Sequence, residues 1–373
     1  MQVQSMSDTS PTKWHLAHTS WAFETFLLKP HLKNYRVFDS SFETLFNSYY
    51  NAIGKQFSRS HRGLLSRPSA ASVFEYRIHV DNAMQDLLNN CDGDGRIENL
   101  ALLFIQHEQQ HQELMLTDLK HAYFQNPTFP IYSKEKYAEI PHEKTHSLTN
   151  QSEIEWFDIP SGLYQIGHRN EKFYFDNEGP KHKAYLEKYQ IASRLVTNGE
   201  YLEFVNNGGY REASFWLSEA WGLIESTQQD SPLYWIKRKG QWYQFTLSGL
   251  QSLVLDEPVQ HVSYFEANAY ANSVNKRLPT EQEWEVASRS ENRFQQMLSC
   301  LWQWTSSSYC AYPGFKVPEG AIGEYNGKFM VNQYVLRGGS KVTPEKHIRP
   351  SYRNFFYPGA CWQYTGIRLA ESL

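Results

Sequence analysis

The sequence predicts a multidomain α+β protein, because two long stretches of the chain follow different patterns. In residues 1–124 the apolar residues recur close to a 3.6-residue period, which indicates helices. In residues 153–373, short strand-like runs alternate with Gly, Asn and Pro, and a few helical segments interrupt them. A chain of 373 residues is long enough for two domains. We therefore expect a helical bundle followed by a mixed α+β domain.

Composition excludes several classes of function. Hydrophobic residues make up 40% of the chain and charged residues 20%, so a packed core is feasible and disorder is not expected. The net charge of −4 gives no support to binding of nucleic acid or of an anionic membrane. No apolar run reaches the length of a membrane span. The four cysteines are widely spaced and form no CxxC pair, which predicts free thiols in a cytoplasmic protein.

The first domain reads as consecutive helices. Ser10 followed by Pro11 predicts a helix start with Ser10 as the capping residue, and the helix should end near Pro30. A further helix over Ser72 to Leu88 precedes one over Asn99 to Tyr123. Short connections between such helices favour an up-down bundle, in which inward side chains of facing helices can build a metal site.

The clearest chemical signal is His107-Glu108-Gln109-Gln110-His111 in the last of these helices. Residues four apart share a face of a helix, so both imidazoles can bind one transition-metal ion. Glu108 directly after the first His also fits the helical motif of zinc proteases. The alternative without a metal is that both histidines lie on a solvated polar face of the helix. His18 shares a stripe with Trp14, Trp21 and Thr25 and is either a core histidine or a third ligand.

The middle of the chain predicts a linker, and the second domain follows it. From Gln125 to Ser152 prolines and charges replace the apolar periodicity, so this segment should run along the surface. Within residues 153–373 two helices are expected, Thr197 to Asn206 and Tyr264 to Ser273.

Longer motifs resemble known families. Four runs of the second domain resemble the formylglycine-generating-enzyme domain, which has a C-type-lectin-like fold; these runs are Arg277–Ala287, Leu301–Thr305, Val335–Ser340 and Gly366–Ala370. The run Ser10–His18 and the helix of His107 resemble a DinB-like bundle. In this order the two resemble the iron-dependent sulfoxide synthases of ergothioneine biosynthesis, the EgtB type. That family has a further helix before the equivalent of Ser10, where only Met1 to Thr9 stand here.

The resemblance implies an enzyme that uses Fe(II) and O2 to join a thiol to the imidazole of hercynine, a trimethylated betaine of histidine, as a sulfoxide. The family's iron ligands fall on His18, His107 and His111. Its substrate contacts fall on Gln110 for the imidazole, Asn354 for the carboxylate, and Tyr325 and Phe355 as pocket aromatics. Aromatic faces attract a quaternary ammonium by cation–π interaction. The resemblance thus predicts an active site that draws ligands from the first domain and hercynine contacts from the second.

The thiol donor is predicted from a departure within the family. The branch that uses γ-glutamylcysteine carries an Asp and an Arg where Phe356 and Ala360 stand here. Without those charges the donor pocket should suit L-cysteine, whose carboxylate Arg59 or Arg62 would meet.

The catalytic hydroxyl is predicted by the same comparison. The γ-glutamylcysteine branch has a catalytic tyrosine at the position of Ile322. Tyr49 and Tyr50 resemble the paired tyrosines of the cysteine-using branch, and either is expected to supply the hydroxyl instead.

Other functions remain open at this point. The same site could take γ-glutamylcysteine or a selenium donor, or the protein could be a catalytically inactive module that binds a betaine or a metal. Formylglycine generation itself is disfavoured, because Cys300 and Cys310 lack the close spacing it needs. A metalloprotease is disfavoured because no third ligand follows at that family's spacing. The sequence leaves the oligomeric state open.

Overall fold

The chain forms two compact units. The computed structural model describes residues 1–91, 93–134, 153–168, 172–290 and 293–373. Unit 1 consists of Met1–Asn126 together with Lys316–Lys328, and unit 2 consists of Pro127–Phe315 together with Phe329–Leu373. Most of the predicted linker, residues 135–152, lies outside the described part of the chain. The domain boundaries at 124 and 153 stay a prediction.

Unit 1 is helical, as the periodicity of the sequence predicted. Its helices are α1 (Thr12–Phe23), a π-helical segment (Glu24–Leu28), α2 (Lys29–His31), α3 (Phe42–Phe46), α4 (Ala70–Asn89) and α5 (Gly95–Phe124), with 3₁₀ turns at Arg59–Leu64 and Ala321–Glu324. α1 packs against both α4 and α5. It is buried on nearly every side, and even the Lys13 ammonium is satisfied there by the carbonyls of Leu65 and Pro68 at 2.7 and 2.8 Å.

The predicted cap of α1 is wrong by one residue. Pro11 occupies the N-cap position with an extended backbone (φ −61°, ψ 143°), and it has no side chain that can cap. Ser10 is engaged elsewhere: its hydroxyl accepts from Arg62 at 2.9 Å, and its N–H donates to Asp118 at 2.8 Å. Partners distant in sequence therefore override the local capping signal.

α5 is longer than predicted at both ends and carries one buried stripe. The Asp94 carboxylate caps the helix by accepting from the N–H of Arg96 at 2.9 Å. Buried residues then recur every three or four positions: Ile97, Ala101, Phe104, His107 and His111. The two histidines thus continue the apolar face that packs into unit 1.

α4, like α5, has a side-chain cap at its start and one buried face. Ser69 caps it by accepting from the N–H of Ser72 at 3.1 Å. Its buried residues are Val73, Tyr76, Val80, Met84 and Leu87. The predicted helix from Ser72 to Leu88 is confirmed with two extra residues at the start and one at the end.

Unit 2 holds the sheets of the described chain. Its strands are β1 (Trp156–Ile159), β2 (Gly162–Ile166), β3 (His182–Leu186), β4 (Tyr189–Ala192), β5 (Trp235–Arg238), β6 (Gln241–Thr246), β7 (Gly249–Ser252), β8 (Trp302–Ser308), β9 (Tyr334–Arg337), β10 (Asn354–Phe356), β11 (Thr365–Gly366) and β12 (Ala370–Ser372). They form sheets in the orders β1-β4-β12, β2-β3, β5-β6-β7 and β10-β9-β8-β11. Among the strand pairs of the described chain, the pair of β8 and β11 is the parallel one, and the isolated bridge between Cys300 and Ser340 is also parallel.

The α-helices in the described residues of unit 2 are α6 (Asn198–Asn206), α7 (Ser218–Thr227), α8 (Tyr264–Ser273) and α9 (Glu281–Ala287). Both predicted helices are present, as α6 and α8. α6, α8 and α9 each begin with a capping box, in which Thr197, Ser263 or Thr280 pairs with a Glu three residues later.

The motifs that carried the family resemblance hold unit 2 together. The buried Glu281 carboxylate accepts two bonds from Arg353 at 2.8 and 2.9 Å. Gln303 on β8 accepts from the Trp284 indole at 2.8 Å and from Arg368 at 2.7 Å. Removing one member of such a buried pair leaves a polar group unsatisfied, so these residues serve stability.

None of the helices in the described ranges combines the length and hydropathy that a bilayer span requires.

Candidate metal centre

Three imidazoles converge in the core of unit 1. His18 comes from α1, and His107 and His111 come from successive turns of α5. The Nε2 atom of His107 lies 3.3 Å from that of His18 and 3.1 Å from that of His111. All three side chains are buried, with 0%, 2% and 8% exposure. The structure therefore brings together the three histidines that the sequence proposed as ligands, and they form the candidate metal group of the described chain.

Two of the rings, those of His18 and His111, are oriented by hydrogen bonds at Nδ1, the nitrogen that does not face the other two candidate ligands. His18 donates from Nδ1 to the carbonyl of Phe46 at 2.6 Å, which leaves its Nε2 lone pair facing the other two rings. The Nδ1 of His111 lies 2.8 Å from the Nδ1 of His15. His18 is also held between two indoles, stacking on Trp14 at 4.6 Å and on Trp21 at 5.5 Å between ring centroids.

The environment keeps these imidazoles neutral. Burial, and then the neighbouring His15, lowers the pKa of His107 to about 3. Burial followed by the other histidines lowers the pKa of His18 and of His111 well below the ordinary value. Neutral imidazole is the form that binds a metal ion.

The donor set fits a transition metal. Two nitrogen donors about 2.1 Å from one ion and at right angles would lie about 3.0 Å apart, close to the observed separations. Lone pairs that converge at this distance repel each other unless a cation or a proton lies between them. Imidazole donors suit iron, zinc, copper and nickel alike, and three protein ligands leave positions on the ion for exogenous molecules.

Glu108 does not face the three imidazoles. Its carboxylate accepts from the Arg77 guanidinium on α4 at 2.6 Å. This ion pair occupies the group that a metalloprotease would use as its base, and so it argues against that alternative.

Arg62 is a buried cation beside the centre. Its guanidinium lies 3.3 Å from the centroid of the Trp14 ring, and Trp14 also stacks on His18. Ser10 and Ser48 accept from it at 2.9 and 3.1 Å, and no carboxylate of the described chain forms a salt bridge with it. Burial, and then the charge of Arg59, lowers the pKa of Arg62. A buried cation held by neutral partners favours an anionic ligand.

Arg59 differs from Arg62 in its surroundings. It is exposed, and its guanidinium donates to the backbone carbonyl of Asp8.

The two candidate tyrosines occupy different environments. Their rings stack at 4.6 Å, but Tyr50 is buried against Trp21 at 5.7 Å, whereas Tyr49 is half-buried with Lys328 over its ring at 5.1 Å. Burial, and then the neighbouring Tyr49 and Tyr325, raises the pKa of Tyr50 well above its ordinary value. Tyr50 therefore keeps its proton in the folded protein.

The segment Lys316–Lys328 belongs to unit 1 although it follows β8 in the chain. The Glu324 carboxylate accepts from the N–H groups of Asn51 and Ala52 at 3.0 and 2.8 Å, which fixes the segment to the turn after Tyr50. The Tyr325 hydroxyl donates to Oε1 of Gln110, and its ring meets the His107 ring edge to face at 5.7 Å. Two predicted substrate residues are thus joined beside a candidate ligand.

The remaining predicted substrate residues lie in unit 2. Asn354, Phe355 and Phe356 form β10. Phe355 stacks on Tyr309 at 4.1 Å between centroids and lies 5.9 Å from Phe329. Phe356 meets Trp362 edge to face, and Ala360 is 5% exposed. Neither Phe356 nor Ala360 offers a charge.

Sequence reasoning missed three residues. His15 was not among the predicted site residues, yet its ring contacts that of His111. Asp118 and Glu324 were not singled out. His111 and Asp118 could have been found as a pair, because they are seven apart on one helix and share a face. His15 lies on α1, and its contact with His111 could not be read from local spacing.

We predict that metal-free protein binds one Co(II) per chain, measured anaerobically by visible absorption. Replacing His18, His107 or His111 by Ala should abolish stoichiometric binding, because each change removes one of three buried donors. His79, whose ring bonds the Arg36 carbonyl on the surface of unit 1, supplies the control: His79→Ala should bind as the parent does. Unaltered binding by any of the three ligand variants would remove that histidine from the site.

This chain is similar to a known domain family and to proteins of known function. The family model of the sulfatase-modifying factor enzyme 1-like domain matches residues 142–297. Hercynine oxygenase of Mycobacterium tuberculosis is 29% identical to this chain, in an alignment that covers 97% of this chain and 91% of that protein. Hercynine oxygenase of Mycolicibacterium smegmatis is 27% identical, covering 97% of this chain and 91% of that protein.

A shorter match is to ergothioneine biosynthesis protein 1 of Schizosaccharomyces pombe, which is 30% identical over 54% of this chain and 28% of that protein. Near-full-length similarity to hercynine oxygenases, together with the matching sulfatase-modifying-factor domain, supports an EgtB-type sulfoxide synthase and indicates an oxygenase enzyme.

Proposed function

We propose that the protein joins hercynine to L-cysteine, with Fe(II) and O2, to give hercynylcysteine sulfoxide. The observation that carries this proposal is the buried group of His18, His107 and His111, three neutral imidazoles whose Nε2 atoms converge. Bound Fe(II) would supply O2 activation, which the side chains cannot perform themselves. The donors alone do not select iron; the oxygenase relatives support that choice.

Hercynine is proposed to place its imidazole beside the metal. Gln110 follows His107 by three positions on α5, and Tyr325 fixes its amide by donating to Oε1. The amide nitrogen of Gln110 is then the donor that would meet an imidazole nitrogen. Asn354 and Phe355 remain proposed contacts for the carboxylate and the trimethylammonium. The stack of Phe355 on Tyr309 would present an aromatic face worth about 0.5–2 kcal/mol to such a cation.

Arg62, and not Arg59, is proposed to bind the cysteine carboxylate. Arg62 is buried, is joined to His18 through Trp14, and lacks a carboxylate partner in the described chain. A bidentate contact with the donor would supply the missing anion. This arrangement would hold the thiol close to the metal that His18 helps to bind.

Tyr50 is proposed as the active-site hydroxyl. It holds its proton, and it packs on Trp21, which in turn stacks on His18. Tyr49 is proposed to act only by packing: its ring faces Lys328 and stacks on the ring of Tyr50. A hydroxyl that delivers its proton during the reaction would favour carbon–sulfur bond formation over oxidation of the thiol alone.

A cytoplasmic location completes the proposal. Its support is that all four cysteines are free thiols, as expected in a reducing compartment.

The reaction is tested by mass spectrometry of the products formed from hercynine, O2 and a panel of thiols. We expect hercynylcysteine sulfoxide, and kcat/KM for L-cysteine roughly 10 to 1,000 times that for γ-glutamylcysteine, because Phe356 and Ala360 leave the extra charged groups of the larger donor desolvated and unpaired. A preference for γ-glutamylcysteine or for a selenium donor would contradict the assignment of L-cysteine. Absence of any product would leave a binding module as the better function.

Arg62→Gln should raise the KM for cysteine by about tenfold or more while changing the KM for hercynine little, because a charged bidentate contact is lost. The matched control is Arg59→Gln, three residues away and exposed, which should retain both constants. Steady-state kinetics with each substrate varied in turn measure the effect. Equal KM values for cysteine in the two variants would exclude Arg62 as the carboxylate partner.

Tyr50→Phe should shift the products from sulfoxide toward oxidised thiol, since it removes the proton donor and keeps the ring packing. Tyr49→Phe removes the neighbouring hydroxyl and should leave the product ratio near that of the parent. The ratio is read by mass spectrometry from the same reaction mixtures. If the Tyr50 variant loses only thermal stability and keeps the parental ratio, its role is packing.

A further inference from the structure

His15 and Asp118 form a hydrogen-bonded chain that ends on a candidate ligand. The Nδ1 atoms of His15 and His111 lie 2.8 Å apart, and Nε2 of His15 lies 3.0 Å from Oδ2 of Asp118. All three side chains are buried: His15 is 3% exposed, His111 8% and Asp118 7%. The same Asp118 oxygen accepts from the backbone N–H of Ser10 at 2.8 Å. The chain therefore joins the start of α1 to two turns of α5.

We infer that His15 and Asp118 are positioning residues that orient His111 for the metal, acting through His111 and not as ligands. The inference rests on the proposed metal site. The geometry supports this role, because the Nδ1 of His15 lies 2.8 Å from the Nδ1 of His111, whereas the converging Nε2 atoms belong to His18, His107 and His111.

The hydrogen-bond roles along this chain are determined by chemistry. To bind a metal through Nε2, neutral His111 must carry its proton on Nδ1, and it then donates to Nδ1 of His15. His15 must accept at Nδ1, so its own proton lies on Nε2 and is donated to Asp118. A carboxylate can only accept, so one arrangement satisfies every atom. The chain thereby selects the His111 tautomer that leaves Nε2 available.

The other two ligands are supported differently. His18 donates to one backbone carbonyl, at 2.6 Å from Phe46. The Nδ1 of His107 is buried without a hydrogen-bond partner in the described chain. Of the three candidate ligands, His111 is therefore the one whose Nδ1 is hydrogen-bonded by a side chain. Outer partners of this kind raise ligand basicity and fix the ring orientation.

The test uses full-length protein freed of metal and titrated anaerobically with Co(II), with the visible spectrum recorded at saturation. His15→Leu removes the acceptor for His111 and should weaken Co(II) binding about 10- to 100-fold while keeping one ion per chain. His15→Asn can place a carbonyl oxygen near the Nδ1 position and should recover part of that loss. Asp118→Asn keeps an acceptor without the charge and should weaken binding less than His15→Leu.

Controls separate positioning from folding. Asp86 is exposed on α4, and Asp86→Asn should match the parent in affinity and spectrum. Thermal unfolding of the metal-free variants measures any loss of folding stability. If His15 and Asp118 act by positioning, the melting temperature need not fall in parallel with the Co(II) affinity. Partial rescue by His15→Asn, at a melting temperature equal to that of His15→Leu, supports the inference.

Two outcomes would overturn it. Parental affinity and spectrum in His15→Leu would show that His111 needs no support from His15. A spectrum showing loss of a metal-bound nitrogen in His15→Leu would make His15 a ligand. Failure of the parent itself to bind Co(II) would instead overturn the metal site, and with it the proposed function.

Discussion

The packing of α1 against α5 is the constraint on which the candidate centre depends. α1 is buried on nearly every side and carries His18, whereas the buried stripe of α5 carries His107 and His111. Burying an imidazole without hydrogen-bond partners costs free energy, so each partner of a buried ring stabilises this core. The Phe46 carbonyl and the chain through His15 to Asp118 satisfy two of the rings, and the converging Nε2 atoms are left for a cation.

The same packing explains which parts of the site could be predicted from sequence. His107 and His111 are four apart on one helix, so local geometry alone places them together. His18 lies 89 positions before His107, and only the resemblance to a family nominated it over a core histidine. The capping prediction for Ser10 was wrong for a related reason, since Arg62 and Asp118 are partners that a local rule cannot see.

The contribution of residues 316–328 to unit 1 was not predictable from periodicity. The segment lies within the stretch expected to form the second domain, yet Glu324 bonds the turn that follows Tyr50, and Tyr325 bonds Gln110. Arg62 gives a similar lesson: a basic run is usually solvated, but here one guanidinium is buried on Trp14 while Arg59 remains exposed. Long-range packing therefore distinguishes Arg62 from Arg59. The buried guanidinium of Arg62 lies beside the candidate metal ligands, where it is proposed to bind the thiol donor.

The most direct test of the central claim is O2 uptake by protein loaded anaerobically with Fe(II). We expect uptake that requires hercynine and L-cysteine together and is lost in His18→Ala, because the imidazole from α1 completes the set of three donors. Uptake with neither substrate required, or uptake retained at the parental rate without His18, would contradict the central claim.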